Sequence, residues 1–163
     1  MRCSDIVSFD VDRDLVRRLG IKKVFVVGKD LFVSERPLQN SKPQIIMSND
    51  PGLLVNGVRS PEVLGIIFAG GELTKAVLEK VVEYKKVVFV PVGRLLSVGI
   101  AERGPELGRI RKIVLASRKA GAQVRIVTMA DSGMVLLSGR QLGAISGLIL
   151  DGRRDFGLCG DIS

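Results

Sequence analysis

The chain reads as an α/β protein built on a parallel sheet, and three observations predict it. Short runs rich in valine and isoleucine alternate with amphipathic stretches of helical period. Those runs are apolar almost throughout, as strands are when both of their faces are covered. The strand–helix–strand order recurs along the chain, and parallel strands need such crossovers. With 163 residues, 46% of them hydrophobic, the chain has material for one core and is expected to form a single domain over 1–163.

The elements can be placed in order. Strands are expected at 5–9, 24–27, 45–47, 53–55, 63–68, 87–92 and 124–128, with a weaker one at 156–159. Helices are expected at 12–19, 73–84, 104–120 and 139–150. Asp12 and Ser138 have the side chains that cap a helix start, and Gly20 and Gly121 stand where a helix end wants a left-handed residue. Gly139, Gly143 and Gly147 form one helical stripe, which reads as a surface for close packing.

Charge is distributed unevenly. The segment 85–125 holds ten basic residues against two acids, Glu102 and Glu106, an excess equal to the +8 of the whole chain. The remainder is balanced. A field confined to one region attracts and orients polyanions, so nucleic acid is the first partner to consider. On the helix expected over 104–120, Leu107, Ile110, Ile113, Val114 and Ser117 share one side, while Arg111, Lys112, Arg118 and Lys119 lie across the other. Lys85, Lys86, Arg94, Arg103 and Arg125 flank this helix, without acids enough to neutralise them.

The chain lacks histidine altogether, which removes the commonest general base and the Ser-His and Cys-His nucleophile pairs. No phosphate-cradling glycine loop of either common type occurs. Asp5, Asp10, Asp12 and Asp14 could in principle gather around Mg²⁺, but they read better as a helix cap, first-turn charges and strand-end acids. Two cysteines, Cys3 and Cys159, read as buried thiols, with a disulfide as the alternative if the fold brings the two ends of the chain together. The apolar runs are too short to span a bilayer and no signal-peptide core opens the chain, so a soluble, cytoplasmic protein is expected. With 4% aromatic residues, no stacking platform for bases is expected, and contact with RNA would fall to Arg and Lys on phosphates.

A resemblance accompanies the basic segment. The run Val87-Val88-Phe89-Val90-Pro91-Val92-Gly93-Arg94-Leu95-Leu96 is followed by Glu102-Arg103, the basic helix, Val124-Arg125-Ile126-Val127-Thr128, and then Leu136-Leu137-Ser138-Gly139-Arg140-Gln141-Leu142. In order and spacing this resembles the C-terminal half of the ribonuclease P protein component 3 family, archaeal relatives of a eukaryotic ribonuclease P subunit. Ser138, Arg140 and Leu142 match that family's last motif, whereas Leu137, Gly139 and Gln141 depart from it.

The resemblance implies a TIM-like (β/α) barrel, here compact or incomplete, since eight βα units normally need about 200 residues or more. It implies a non-catalytic, RNA-binding subunit of archaeal ribonuclease P, which supports the catalytic RNA as that RNA removes 5′ leaders from precursor tRNA. The partners it implies are ribonuclease P RNA, ribonuclease P protein component 2 and other ribonuclease P subunits in a hetero-oligomer, and precursor tRNA indirectly, with no membrane. Mg²⁺ would belong to the RNA, and the protein itself would bind no cofactor. The residues expected to contact RNA are Arg94, Arg103, Arg109, Arg111, Lys112, Arg118, Lys119, Arg125 and Arg140. The competing expectation is an independent α/β-barrel enzyme acting on a phosphorylated small molecule, with the basic residues as its phosphate site. Such an enzyme would gather polar groups at the C-terminal ends of several strands, and the expected strand ends offer no evident acid–base pair.

Overall fold

The computed structural model describes residues 3–8, 10–39, 42–70, 72–129 and 137–150. The elements run β1 (Cys3–Val7), α1 (Arg13–Arg18), β2 (Ile21–Val26), β3 (Phe32–Ser34), β4 (Gln44–Ser48), α2 (Pro51–Gly57), β5 (Val63–Phe68), α3 (Lys75–Glu83), β6 (Val87–Pro91), α4 (Gly93–Ser97), α5 (Ile100–Lys119), β7 (Gln123–Val127) and α6 (Gly139–Ile149). Strands β3 to β7 make a five-stranded sheet whose spatial order is the chain order, and every pairing in it is parallel. β1 and β2 form a separate parallel pair. The α/β class with parallel strands is therefore the one the chain adopts.

The two faces of the larger sheet account for its uninterrupted apolar strands. Successive side chains of a strand point to opposite faces. Ile46, Ile66, Val88, Val90, Val124 and Ile126 turn to one face, where they pack with Leu54 of α2, Leu78 of α3, Ile110 and Val114 of α5, and Leu142 of α6. Their neighbours Ile45, Ile67, Phe89 and Val127 turn to the other face and meet Ile6 of β1 and Leu31. Phe25 and Val27 close the margin of this second cluster. Each such side chain contributes about 1.5–3 kcal/mol on full burial, so neither face could be left open cheaply.

Hydrogen bonds join the small pair to the large sheet. The Asp5 carboxylate accepts the Thr128 N–H at 2.6 Å and the Ile6 N–H at 2.8 Å, and the Thr128 hydroxyl donates to its second oxygen. At the other edge, Gly28 N–H donates to the Leu31 carbonyl at 2.7 Å. The Gly139 N–H reaches the Leu19 carbonyl at 3.0 Å and ties the start of α6 to the end of α1. Gly65 allows β5 and β6 to approach: a Cβ there would lie 2.0 Å from the Val87 carbonyl oxygen and 2.8 Å from the Phe89 ring.

Several expectations need correction. Residues 53–55 belong to helix α2 and not to a strand, because Asp50 accepts the Gly52 N–H at 2.7 Å and Pro51 occupies the first helical position. The short β3 and α4 carry too few residues to show a period, and the sequence reading passed over both. Helix α5 starts at Ile100, one turn before the expected 104, with Pro105 inside it. Gly147 faces open space, so close packing is not what places a glycine there. The expected strand at 156–159 lies outside the described residues, and so does Cys159 of the Cys3–Cys159 pair. Asp12 and Ser138 do cap α1 and α6, and Gly20 and Gly121 take φ of 67° and 83°. Among the described residues, no helix is long and apolar enough to cross a membrane.

Candidate nucleic-acid interface

Helix α5 carries the basic surface, and its own periodicity orients it. Glu106, Ile110, Ile113, Val114 and Ser117 are buried against the sheet. Lys112, Arg118 and Lys119 are exposed and Arg111 is partly exposed, as the helical spacing requires. Arg111 and Arg118 are seven residues apart, as are Lys112 and Lys119, so each pair repeats after about 10.5 Å along the axis. Leu115, 45% exposed, sits between the two rows. Lys112 approaches Glu72 at 3.8 Å, a contact between two exposed side chains that water screens heavily.

The remaining expected contacts divide into two groups. Arg94 on α4, Arg103 in the first turn of α5 and Arg140 in the first turn of α6 are exposed. They follow the C-terminal ends of β6 and β7, whereas Arg118 and Lys119 end the helix that leads into β7. Sixteen residues of helix separate Arg103 from Lys119, about 24 Å. The exposed cations therefore span the height of the sheet.

Arg109 and Arg125 are placed differently. Arg109 forms a two-pronged pair with Glu106, Nε at 3.0 Å and Nη2 at 2.7 Å from its two carboxylate oxygens. This bond holds the Glu106 carboxyl below its usual range and raises Arg109 further, burial opposing both. Arg125 is half-buried on β7, with Nη1 donating to the Val124 carbonyl at 3.1 Å. Lys86 donates to the Ser60 carbonyl at 3.0 Å, and burial lowers its pKa. The i, i+3 spacing of Glu106 and Arg109 is a legible sign of such a pair.

The aspartates expected to be structural each have a separate task. Asp12 accepts the Asp14 N–H at 2.9 Å as the cap of α1. Asp10 pairs with Lys29 at 3.1 Å. Asp5 is fully buried, and burial pushes its carboxyl up to about 6, against the lowering effect of the Thr128 and Ile6 N–H groups. Among the described residues, no three His, Cys, Asp or Glu side chains come together as a metal would require.

A second basic region escaped the sequence reading. A groove of about 560 Å³ between α1 and β2 is lined by Arg13, Arg17, Lys22, Lys23 and Lys29, with Asp10 and Asp30 at its rim. Over 10–30 the six basic residues are offset by four acids, which hid the cluster from a charge count along the chain. Compared with protein-family models and with curated proteins, the chain matches none.

Proposed function

We propose that the chain is a non-catalytic RNA-binding subunit of archaeal ribonuclease P, and that its sheets belong to a compact TIM-like barrel. The observation that carries the proposal is the cationic outer face of α5, continued by Arg94, Arg103 and Arg140 past the ends of β6 and β7. Lysines and arginines spread over about 24 Å suit the phosphates of a folded RNA, which are read by position and not by base. The segments of the resemblance fall on consecutive elements: β6, α4 with Arg94, the first turn of α5 with Glu102 and Arg103, β7, and the capped start of α6.

Three features support the barrel. A sheet whose order is the chain order, with its connecting helices on one face, is singly wound, as barrels are. The opposite face is filled by residues from β1, β4, β5, β6 and β7 together. Asp5 of β1 and Thr128, just past β7, join these two strands. The resemblance extends the proposal to pairing with ribonuclease P component 2, to a cytoplasmic location and to Mg²⁺ held by the RNA.

The test is a titration of ribonuclease P RNA at several salt concentrations with the wild type and the quadruple variant R111A/K112A/R118A/K119A. Each lost phosphate contact should lower the slope of log K against log salt by about 0.7–0.9. Weaker binding and a slope reduced by about 3 are expected for the variant. Unchanged affinity and slope would show a merely solvated face and overturn the proposal.

A further inference from the structure

The groove between α1 and β2 lies along a strand that, among the described residues, is paired with β1 on one side and on the other meets only Leu31, through a bridge at Val27, and the 26–30 turn, whose Lys29 and Asp30 N–H groups donate to the Val26 carbonyl. Among the described residues, β2 pairs with β1 and with no other strand. Val27 N–H donates to Val7 of β1, whereas Val26 N–H turns the other way and donates to the Asp30 carboxylate at 2.8 Å. N–H and C=O groups of a strand alternate in direction, so Val24, two residues before Val26, directs its backbone to the open edge as well. Residues from both faces of β2, Lys22 and Lys23 among them, line the groove, as expected of a cavity that follows an edge.

Two further observations describe what the edge would accept. The groove's apolar lining comes from Val11, Val16, Ile21, Val24 and Val26, and cations outnumber acids five to two around it. Both acids are already engaged as a carboxylate ligand would be: Asp30 takes a backbone N–H of the edge and Asp10 takes the Lys29 ammonium. Arg13 and Arg17, one turn apart on α1, are exposed beside this lining. The connection from β2 to β3 is too short to hold a helix, so no crossover helix covers this side of β2.

We propose that the edge of β2 binds an extended, acidic segment of another protein by strand addition. The segment's backbone pairs with Val24, its apolar side chains rest on the valines, and its alternate carboxylates meet Arg13, Arg17 and Lys22. This is the recognition mode in which main-chain hydrogen bonds hold the peptide and alternate side chains select it. The apolar lining favours peptide over RNA, because phosphate contacts make no use of it. The surface is distinct from the outer face of α5.

The probe is a fluorescent heptapeptide of alternating glutamate and valine, titrated against the full chain by anisotropy and by amide chemical shifts. Saturable binding that shifts the Val24 amide is expected. Val24→Pro removes the outward N–H while leaving the β1 ladder, since proline is tolerated where the N–H faces away from the neighbouring strand. It should weaken binding at least tenfold, as should R13Q/R17Q, which leaves the strand untouched and covers the case in which the proline variant misfolds. A peptide N-methylated at alternate residues should not bind. Absence of binding, equal binding by a control heptapeptide of alternating lysine and valine, or equal binding by the N-methylated peptide would overturn the proposal. Displacement of the peptide by an RNA oligonucleotide would reassign the groove to nucleic acid, and self-association abolished by Val24→Pro would assign it to a second copy of the chain; either result also overturns the proposal.

Discussion

Replacing Asp5 by Asn isolates the electrostatic cost of joining β1 to β7. The Asp5 side chain accepts two backbone N–H groups on one oxygen and meets the Thr128 hydroxyl with the other, in a site closed to water. Burial raises its pKa from 3.8 to about 6, so the folded state holds the proton more tightly than the unfolded chain does. The stability this confers is complete below pH 3.8, fades as pH rises, and is gone above about pH 6. At 1.36 kcal/mol per pH unit the interval amounts to about 3 kcal/mol. Asn keeps the acceptor for both N–H groups and offers Nδ2 to the Thr128 hydroxyl, without a charge to bury. Urea unfolding of both proteins from pH 4 to pH 7.5 should therefore show the wild type losing about 2.5 kcal/mol relative to D5N as pH rises, most of the full interval. Taking the difference cancels the opposite contribution of Glu106, whose lowered pKa stabilises the fold above its usual range. Parallel profiles, or a wild type that gains on D5N with rising pH, would refute this account of the site.

Three other substitutions bear on the fold. Gly65→Ala should destabilise by roughly 1–3 kcal/mol in denaturant unfolding, because its Cβ meets the Val87 backbone, which cannot turn away, as well as the buried Phe89 ring. Ser138→Ala should cost about 1 kcal/mol by removing the hydroxyl side of the capping box with Gln141, read from the same curves. The α5 quadruple variant should keep its melting temperature within a few degrees of the wild type, as its side chains stand outside the packed face; a collapse of the fold would assign them to the core.

The larger elements were legible because their signals were local. Val63–Phe68 is a closed run of apolar residues and was placed to the residue, and Asp12, Ser138, Gly20 and Gly121 marked helix ends correctly. Residues 53–55 misled because Leu53, Leu54 and Val55 have strand-like character, while the deciding signal lay upstream in Asp50 and Pro51. The division of the basic residues was harder to read. Helical period separated Lys112 and Lys119 from the core, and a local Glu106 accounts for Arg109. Arg125 gave no such sign, because a single cation in a strand does not reveal whether it turns to solvent or to its own backbone. The Asp5–Thr128 junction spans most of the chain, and no local pattern encodes a contact at that separation.

The basic surface is proposed to serve ribonuclease P RNA. Affinity purification of the tagged full chain from its native cells, followed by sequencing of the co-purified RNA, tests it most directly. Strong enrichment of ribonuclease P RNA is expected, reduced in the R111A/K112A/R118A/K119A variant at equal protein recovery. Recovery of the protein without that RNA, or equal recovery of the RNA with the variant, would contradict it.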